Sequence, residues 1–186
     1  MPYLEQSIEL GRSFIQPRYQ NKRSLDYLWY GIGAYLHQHP EIRYLTGPVS
    51  MSTSLPKVAQ QTIAGFYHSL FGNDEPLVEP RLPFSFDAAE KFTGYRKLTD
   101  EAQYKQAIAA LKERLDEFDV KLPVLYKQYV ELCEPGGCEF LGFNIDPQFS
   151  NCVDALILVH IDAIKEKKQQ RYIESHAVSM LERNSA

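Results

Sequence analysis

Between residues 7 and 50 the chain spells a strand, a helix and a second strand in quick succession, and this order restricts the fold more than any other feature. Along 7–15, Ile8, Leu10 and Phe14 alternate with Glu9, Gly11 and Ser13, the two-residue period of a half-buried strand, and Gly11 marks a bulge or a close approach. A polar turn follows Gln16 and Pro17. Leu25, Leu28, Trp29, Ile32 and Leu36 then recur at helical spacing until Pro40 ends the run. Residues 43–50 read as a short strand carrying Gly47 and Pro48. The order favours a parallel pair of strands with the helix lying across it.

Pro56 stands where the first turn of a helix over 57–71 begins. The stretch 72–98 is irregular, with Pro76, Pro80 and Pro83 and no steady apolar period. A segment this long reads either as an arm or lid that closes over a ligand, or as a fixed wrap whose Phe84, Phe86 and Phe92 fill the core. Thr99 is expected to cap a helix whose apolar positions are Tyr104, Ile108, Leu111, Leu115 and Phe118, with Asp100 and Glu101 near its positive end. Pro123 opens a helix over 124–133, closed by Gly136 and Gly137. Strands follow at 139–145 and 153–161, and the run Ala155, Leu156, Ile157, Leu158, Val159 is too continuous for a strand exposed on one face. Lys165, Lys167, Lys168 and Arg171 make a mostly basic segment, and a polar tail ends the chain.

At 186 residues, with 44% hydrophobic and 24% charged, the chain is long enough for one domain around a substantial core, and disorder is excluded. Its net charge of -4 offers no bulk basic field, so no nucleic-acid partner is expected. Cys133, Cys138 and Cys152 fit neither a disulfide scaffold nor a zinc pair, and all three read as thiols in a reducing compartment. Residues 1–13 lack the basic start and apolar run of a signal peptide, so the expected place is the cytoplasm. The basic segment reads either as a peripheral contact with anionic lipid at the inner face of the membrane or as an ordinary solvated tail. Twelve Tyr, ten Phe and one Trp suit a core or a groove that receives something apolar.

Several short motifs stand in a fixed order: Glu9-Leu10-Gly11-Arg12-Ser13; Pro17-x-Tyr19-Gln20; Ser24-Leu25-Asp26-Tyr27-Leu28-Trp29; Gly47-Pro48-Val49-Ser50; Leu122-Pro123-Val124-Leu125 with Gln128-Tyr129; and Phe143-Asn144-Ile145-Asp146-Pro147 with Phe149 and Asn151. In this order, through about His160, the chain resembles the acyl-carrier-dependent N-acyltransferases of the GNAT superfamily that make ornithine lipids, a group often labelled hemolysin-like. The Glu-x-x-Arg segment is also similar to that of the autoinducer synthases. The resemblance implies a mixed α/β fold, a GNAT-like three-layer α/β/α sandwich with a splayed sheet. Residues 1–162 would be the C-terminal part of such a domain, and 163–186 a polar tail. It implies transfer of a fatty acyl group from acyl carrier protein, or from coenzyme A, to the amino group of an amino acid such as ornithine. The donor is a substrate, and no permanently bound cofactor and no metal are expected.

Direct transfer needs a group that accepts the ammonium proton beside the thioester, and Glu9 is the candidate, because a splayed pair of strands admits the pantetheine arm next to it. Glu9 also reads as the polar face of a strand or an ion-pair partner of Arg12. In the turn where GNAT proteins hold a pyrophosphate, this chain has Gln20-Asn21-Lys22-Arg23-Ser24-Leu25, with Arg23 and Leu25 at the expected small residues. That departure favours the single phosphate of a carrier protein, met by Arg12, Gln20, Lys22, Arg23 and Ser24, over coenzyme A; a merely solvated helix start is the alternative. Asp146 is a candidate for the acceptor's ammonium group, although an Asp-Pro turn explains it equally through local hydrogen bonds. Ser13, Ser50 and Ser52 lack the order of a catalytic triad, and the five histidines are scattered with no metal-ligand spacing.

Members of the resembled family carry strands and helices before the Glu-x-x-Arg strand. A second reading is therefore a truncated, non-catalytic module that binds a missing N-terminal half, or that self-associates through an exposed edge strand.

Overall fold

The computed structural model describes residues 2–20, 23–73, 76–86 and 100–175. In chain order they form α1 (Pro2–Glu5), β1 (Ser7–Glu9), α2 (Ser24–Gln38), β2 (Tyr44–Met51), α3 (Lys57–Phe71), α4 (Glu101–Asp116), α5 (Val124–Leu132), β3 (Cys138–Asp146), β4 (Cys152–His160) and α6 (Glu166–Gln169), which continues into a π-turn, Gln170–Glu174. The architecture is mixed α+β, and the sheet has the order β1-β2-β4-β3. β1 and β2 are parallel, as the strand-helix-strand order predicts, while β4 runs antiparallel to both of its neighbours.

Both crossovers, β1 to β2 through α2 and β2 to β3 through α3, step across the sheet in the same direction. Right-handedness therefore sets α2 and α3 on the same face. α5 packs between them, with Trp29 of α2 against Tyr129 and Tyr67 of α3 against Tyr126. Leu45, Val49, Met51, Val153, Ala155, Ile157, Val159, Phe140 and Phe143 face this layer and are buried. Their neighbours Thr46, Pro48, Ser50, Asp154, Leu156, Gly142 and Asn144 look to the second face and are half-buried or exposed. That alternation, broken on the second face by the buried Leu158 and Cys152 of β4, is the signature of a sheet covered mainly on one side. The run 155–159 was expected to be buried throughout; Leu156 is only half-buried because it stands between Pro48 and Gly142 on the sparsely covered face.

Three element boundaries differ from the sequence expectation for identifiable reasons. The first strand stops at Glu9 instead of continuing to Ile15, because Arg12 takes a left-handed backbone, φ 56°, that no strand can absorb. Asp100, not Thr99, caps α4, its carboxylate accepting from the Gln103 N–H at 2.8 Å; Thr99 lies outside the described residues. Of the irregular stretch 72–98, residues 82–84 run along the outer edge of β3, where the Phe84 N–H donates to the Phe143 carbonyl and the Ile145 N–H to that of Leu82. Phe84 is buried in the core and Phe86 packs against Phe143, which is the fixed wrap for this part of the stretch. Residues 87–98, Phe92 among them, lie outside the described residues.

Candidate active site

The parallel pair β1 and β2 holds together for only a few rungs. Tyr44 donates to the Gln6 carbonyl and Leu10 to that of Thr46, at 3.1 and 2.7 Å, and there the pairing ends. β2 goes on to Met51, paired with β4 along its whole length, while the other chain turns away through Gly11 and Arg12. Backbone polar groups alternate sides along a strand. Since Tyr44 and Thr46 direct theirs at β1, Pro48 and Ser50 direct theirs into the gap that opens beyond it. Pro48 brings no N–H to that edge, which is why a proline is tolerated inside an eight-residue strand. Gly47 is required here: a Cβ would lie 3.1 Å from the Leu10 carbonyl oxygen, at the point where the two chains part.

Glu9 is the last residue of β1 and is exposed. Its register partner is Thr46, so both side chains rise from the second, thinly covered face of the sheet, directly beside the gap. The carboxylate folds over Gly11, where a Cβ would come within 2.6 Å of the Glu9 Oε1. No ion pair joins Glu9 to Arg12 among the described residues.

Between the gap and α2 the chain makes a compact loop. The Gln20 side-chain amide donates to the Ile15 carbonyl at 2.9 Å, the Ser24 hydroxyl donates to the Tyr19 carbonyl, and Arg18 lies over the Tyr19 ring, 4.7 Å from its centre. Gln20 and Ser24 thus brace the loop, and the exposed Arg12 and Arg23 stand on either side of it. Arg23 occupies the position before α2 without a side-chain cap bond. Lys22 lies outside the described residues.

Asp26, in the first turn of α2, accepts the Tyr172 hydroxyl at 2.6 Å and pairs with Arg171. The Tyr172 hydrogen bond, and after it the charges of Arg171 and Arg23, hold its carboxyl below the ordinary aspartate range. Residues 163–175, the start of the polar, partly basic tail expected from the sequence, are helical in part and pack against α2. Tyr172 is buried against Trp29 and Tyr30, and its carbonyl sits where a Cβ on Gly33 would be, 1.8 Å away. Gly33, inside the clearest helix of the sequence, leaves the room for this docking.

At the far end of β2 the Ser50 hydroxyl donates to Asp154 at 2.6 Å, and the Cys152 thiol lies 3.3 Å from the same oxygen. Asp146 spends its carboxylate on the Gln148 and Phe149 N–H groups, the turn role weighed for it. Phe149, Val124 and Leu125 are exposed around this end, toward which the gap opens. Sequence reasoning missed the Ser50–Asp154 pair, since it exists only through the β2–β4 register. A cavity of about 750 Å³ lies instead beside the other end of β3, lined by Phe71, Tyr104, Cys133, Cys138 and Glu139, three strands away from Glu9. Its size does not make it the site, because it carries none of the groups around the gap. Among the described residues no cluster of His, Cys, Asp and Glu is placed to hold a metal, and no helix is long and apolar enough to cross a membrane.

Residues 1–30 match the acetyltransferase (GNAT) domain family. The matched stretch is β1, the loop and the first half of α2, which is the wall of the gap that carries Glu9. Across 185 aligned residues the chain is 30% identical to the glycine N(alpha)-acyltransferase of Bacteroides thetaiotaomicron, covering 94% of this chain and 54% of that protein. It is 28% identical to the enzyme of the same name from Phocaeicola vulgatus, with 93% and 54% covered. A shorter stretch of 68 residues is 31% identical to the L-ornithine N(alpha)-acyltransferase of Brucella abortus, covering 37% of this chain and 24% of that one. The chain spans about half the length of the glycine acyltransferases it matches. No solved structure matches it.

Proposed function

We propose that the chain carries the donor half of an N-acyltransferase site, which takes a fatty acyl group from a carrier-bound pantetheine thioester and places it on the α-amino group of a small amino acid, glycine ahead of ornithine. The observation that carries this reading is the parting of β1 and β2 after Leu10 and Thr46, with Glu9 on the last rung. A pantetheine arm has two amides, and the gap presents the Pro48 carbonyl and the Ser50 N–H and carbonyl to receive them. The amine nitrogen then attacks the thioester carbonyl: the N–C bond forms, the C–S bond breaks, and the thiolate leaves and takes up a proton. Glu9 accepts the proton that the ammonium group must lose before attack. The exposed Phe149, Val124 and Leu125 near the mouth suit an apolar acyl chain. The preference for glycine rests on the two relatives that share the most of this chain; the L-ornithine enzyme shares little more than a third of it.

The test is product formation by mass spectrometry from palmitoyl-loaded carrier protein with glycine or ornithine. N-acylglycine is expected in excess, and Glu9→Gln is expected to reduce the single-turnover rate about 100-fold or more while donor binding persists. An undiminished rate in Glu9→Gln would remove the base from the reading. Donor binding with no product from either amine would favour the second reading, a non-catalytic module.

A further inference from the structure

The basic segment near the C-terminus does not present its four cations to one side. Lys165 and Lys167 act electrostatically on Glu101 at the start of α4. Lys168 and Arg171, one helical turn apart, both lie over the Tyr172 ring, 5.7 and 5.2 Å from its centre. Tyr172 and Arg171 in turn bond to Asp26 in the first turn of α2, and Arg23, three residues before Asp26, adds its charge to the same carboxylate. Two elements about 145 residues apart in sequence thus bring Arg23, Lys168 and Arg171 to one surface. That surface lies next to the loop that opens the gap, in a chain whose net charge is -4.

We infer that Lys168 and Arg171 of the C-terminal helical segment form, with Arg23, a docking surface for the acidic protein that carries the acyl thioester. The inference rests on the carrier-dependent reading above and adds to it a second element. Asp26 would by itself repel an anionic partner from the start of α2. Arg171 pairs with that charge, and Lys168 and Arg23 outnumber Glu174, the further carboxylate a turn beyond Arg171, so the patch stays net cationic. The patch is also held in place. The Tyr172 carbonyl lies against Gly33, and Tyr172 is wedged between Trp29 and Tyr30, so the cations reach a partner from a fixed platform. An acidic helical carrier is the occupant this charge selects, and a contact of exposed charges falls off with salt.

Binding of palmitoyl-loaded acyl carrier protein to the full chain, followed by calorimetric titration at low and physiological salt, tests the inference. Lys168→Glu is expected to weaken the affinity about tenfold, since each tenfold is about 1.4 kcal/mol and a reversed charge within a patch changes binding by that order. Arg171→Gln is expected to weaken it similarly, and Arg171→Lys to restore most of the loss. Lys168 makes no bond to Asp26 among the described residues, its ammonium lying 5.7 Å from the Tyr172 ring centre, so Lys168→Glu reports on charge even if Arg171→Gln loosens the segment; circular dichroism separates the two. Affinities within twofold of the parent for Lys168→Glu and Arg171→Gln, with Arg23→Glu still losing binding, would confine the docking surface to the loop and overturn the inference. No carrier binding by the parent chain, with tight binding of palmitoyl-coenzyme A, would overturn the carrier reading itself and this inference with it.

Discussion

At Gly11 the absence of one methyl group decides where a carboxylate can be. The Glu9 Oε1 occupies the space a Cβ would enter, so Gly11→Ala must push that carboxylate aside. The displaced atom is the end of a flexible side chain on the surface, and the stability change is expected to stay within about 0.5 kcal/mol. Transfer should nonetheless fall at least about tenfold, because a base moved by an ångström misses its proton. Comparing the melting curve with the single-turnover rate checks both parts; a full rate would show that the observed position of the carboxylate is irrelevant to transfer. The strand that carries Glu9 was legible from the alternation of Ile8, Glu9, Leu10 and Gly11, but the pairing of Ser50 with Asp154 was not. They are 104 residues apart, and only the pairing of β2 with β4 makes them neighbours.

Gly33 and Asp26 show how the C-terminal segment is fastened to α2, and each supplies a test. Replacing a helical glycine by alanine usually helps a helix by about 1 kcal/mol. Here the new Cβ would lie 1.8 Å from the Tyr172 carbonyl oxygen, so the backbones must separate. Overpacking of this kind costs about 1–3 kcal/mol, and Gly33→Ala is expected to be destabilised by denaturant titration, with a changed Trp29 emission because Tyr172 leaves its side. The pH test turns on Asp26. Its carboxyl is lower in the folded chain than in the unfolded one, so its contribution is present above the ordinary aspartate range and is lost as pH falls through the lower folded value. Trp29, the one tryptophan, should report a transition below about pH 3.9, and Asp26→Asn should show the loosened emission already at neutral pH. The periodicity of 25–36 and the proline boundaries of α3 and α5 could be read from the sequence because they are local. The docking of 163–175 could not, since a short polar segment has no period, and what holds it is a contact with residues 26, 30 and 33 of another helix.

Among the described residues α2, α3 and α5 lie on one face of the four-stranded sheet; Cys133 and Cys138 belong to the core beneath them, whereas Cys152 lies on the other face beside Asp154. Cys133 closes α5, Cys138 opens β3 and Cys152 opens β4, and all are buried. Burial raises the thiols of Cys133 and Cys152 to about 12 and about 11, and that of Cys138 upward as well. At neutral pH, labelling by a maleimide is expected to be slow for all three, and in denaturant they should become reactive over one concentration range, as for a single cooperative unit. Rapid labelling of one thiol in the native chain would mark a local opening. The two ends of the sheet are guarded differently. Residues 82–84 occupy the outer edge of β3, whereas among the described residues the pairing of β1 along β2 ends at Leu10 and Thr46. An invading polypeptide strand would find its ladder broken there at once, because Pro48 cannot donate to it. A short linear molecule with one or two amides would not need an unbroken ladder, so the hydrogen that Pro48 lacks would count against an added strand more than against such a guest.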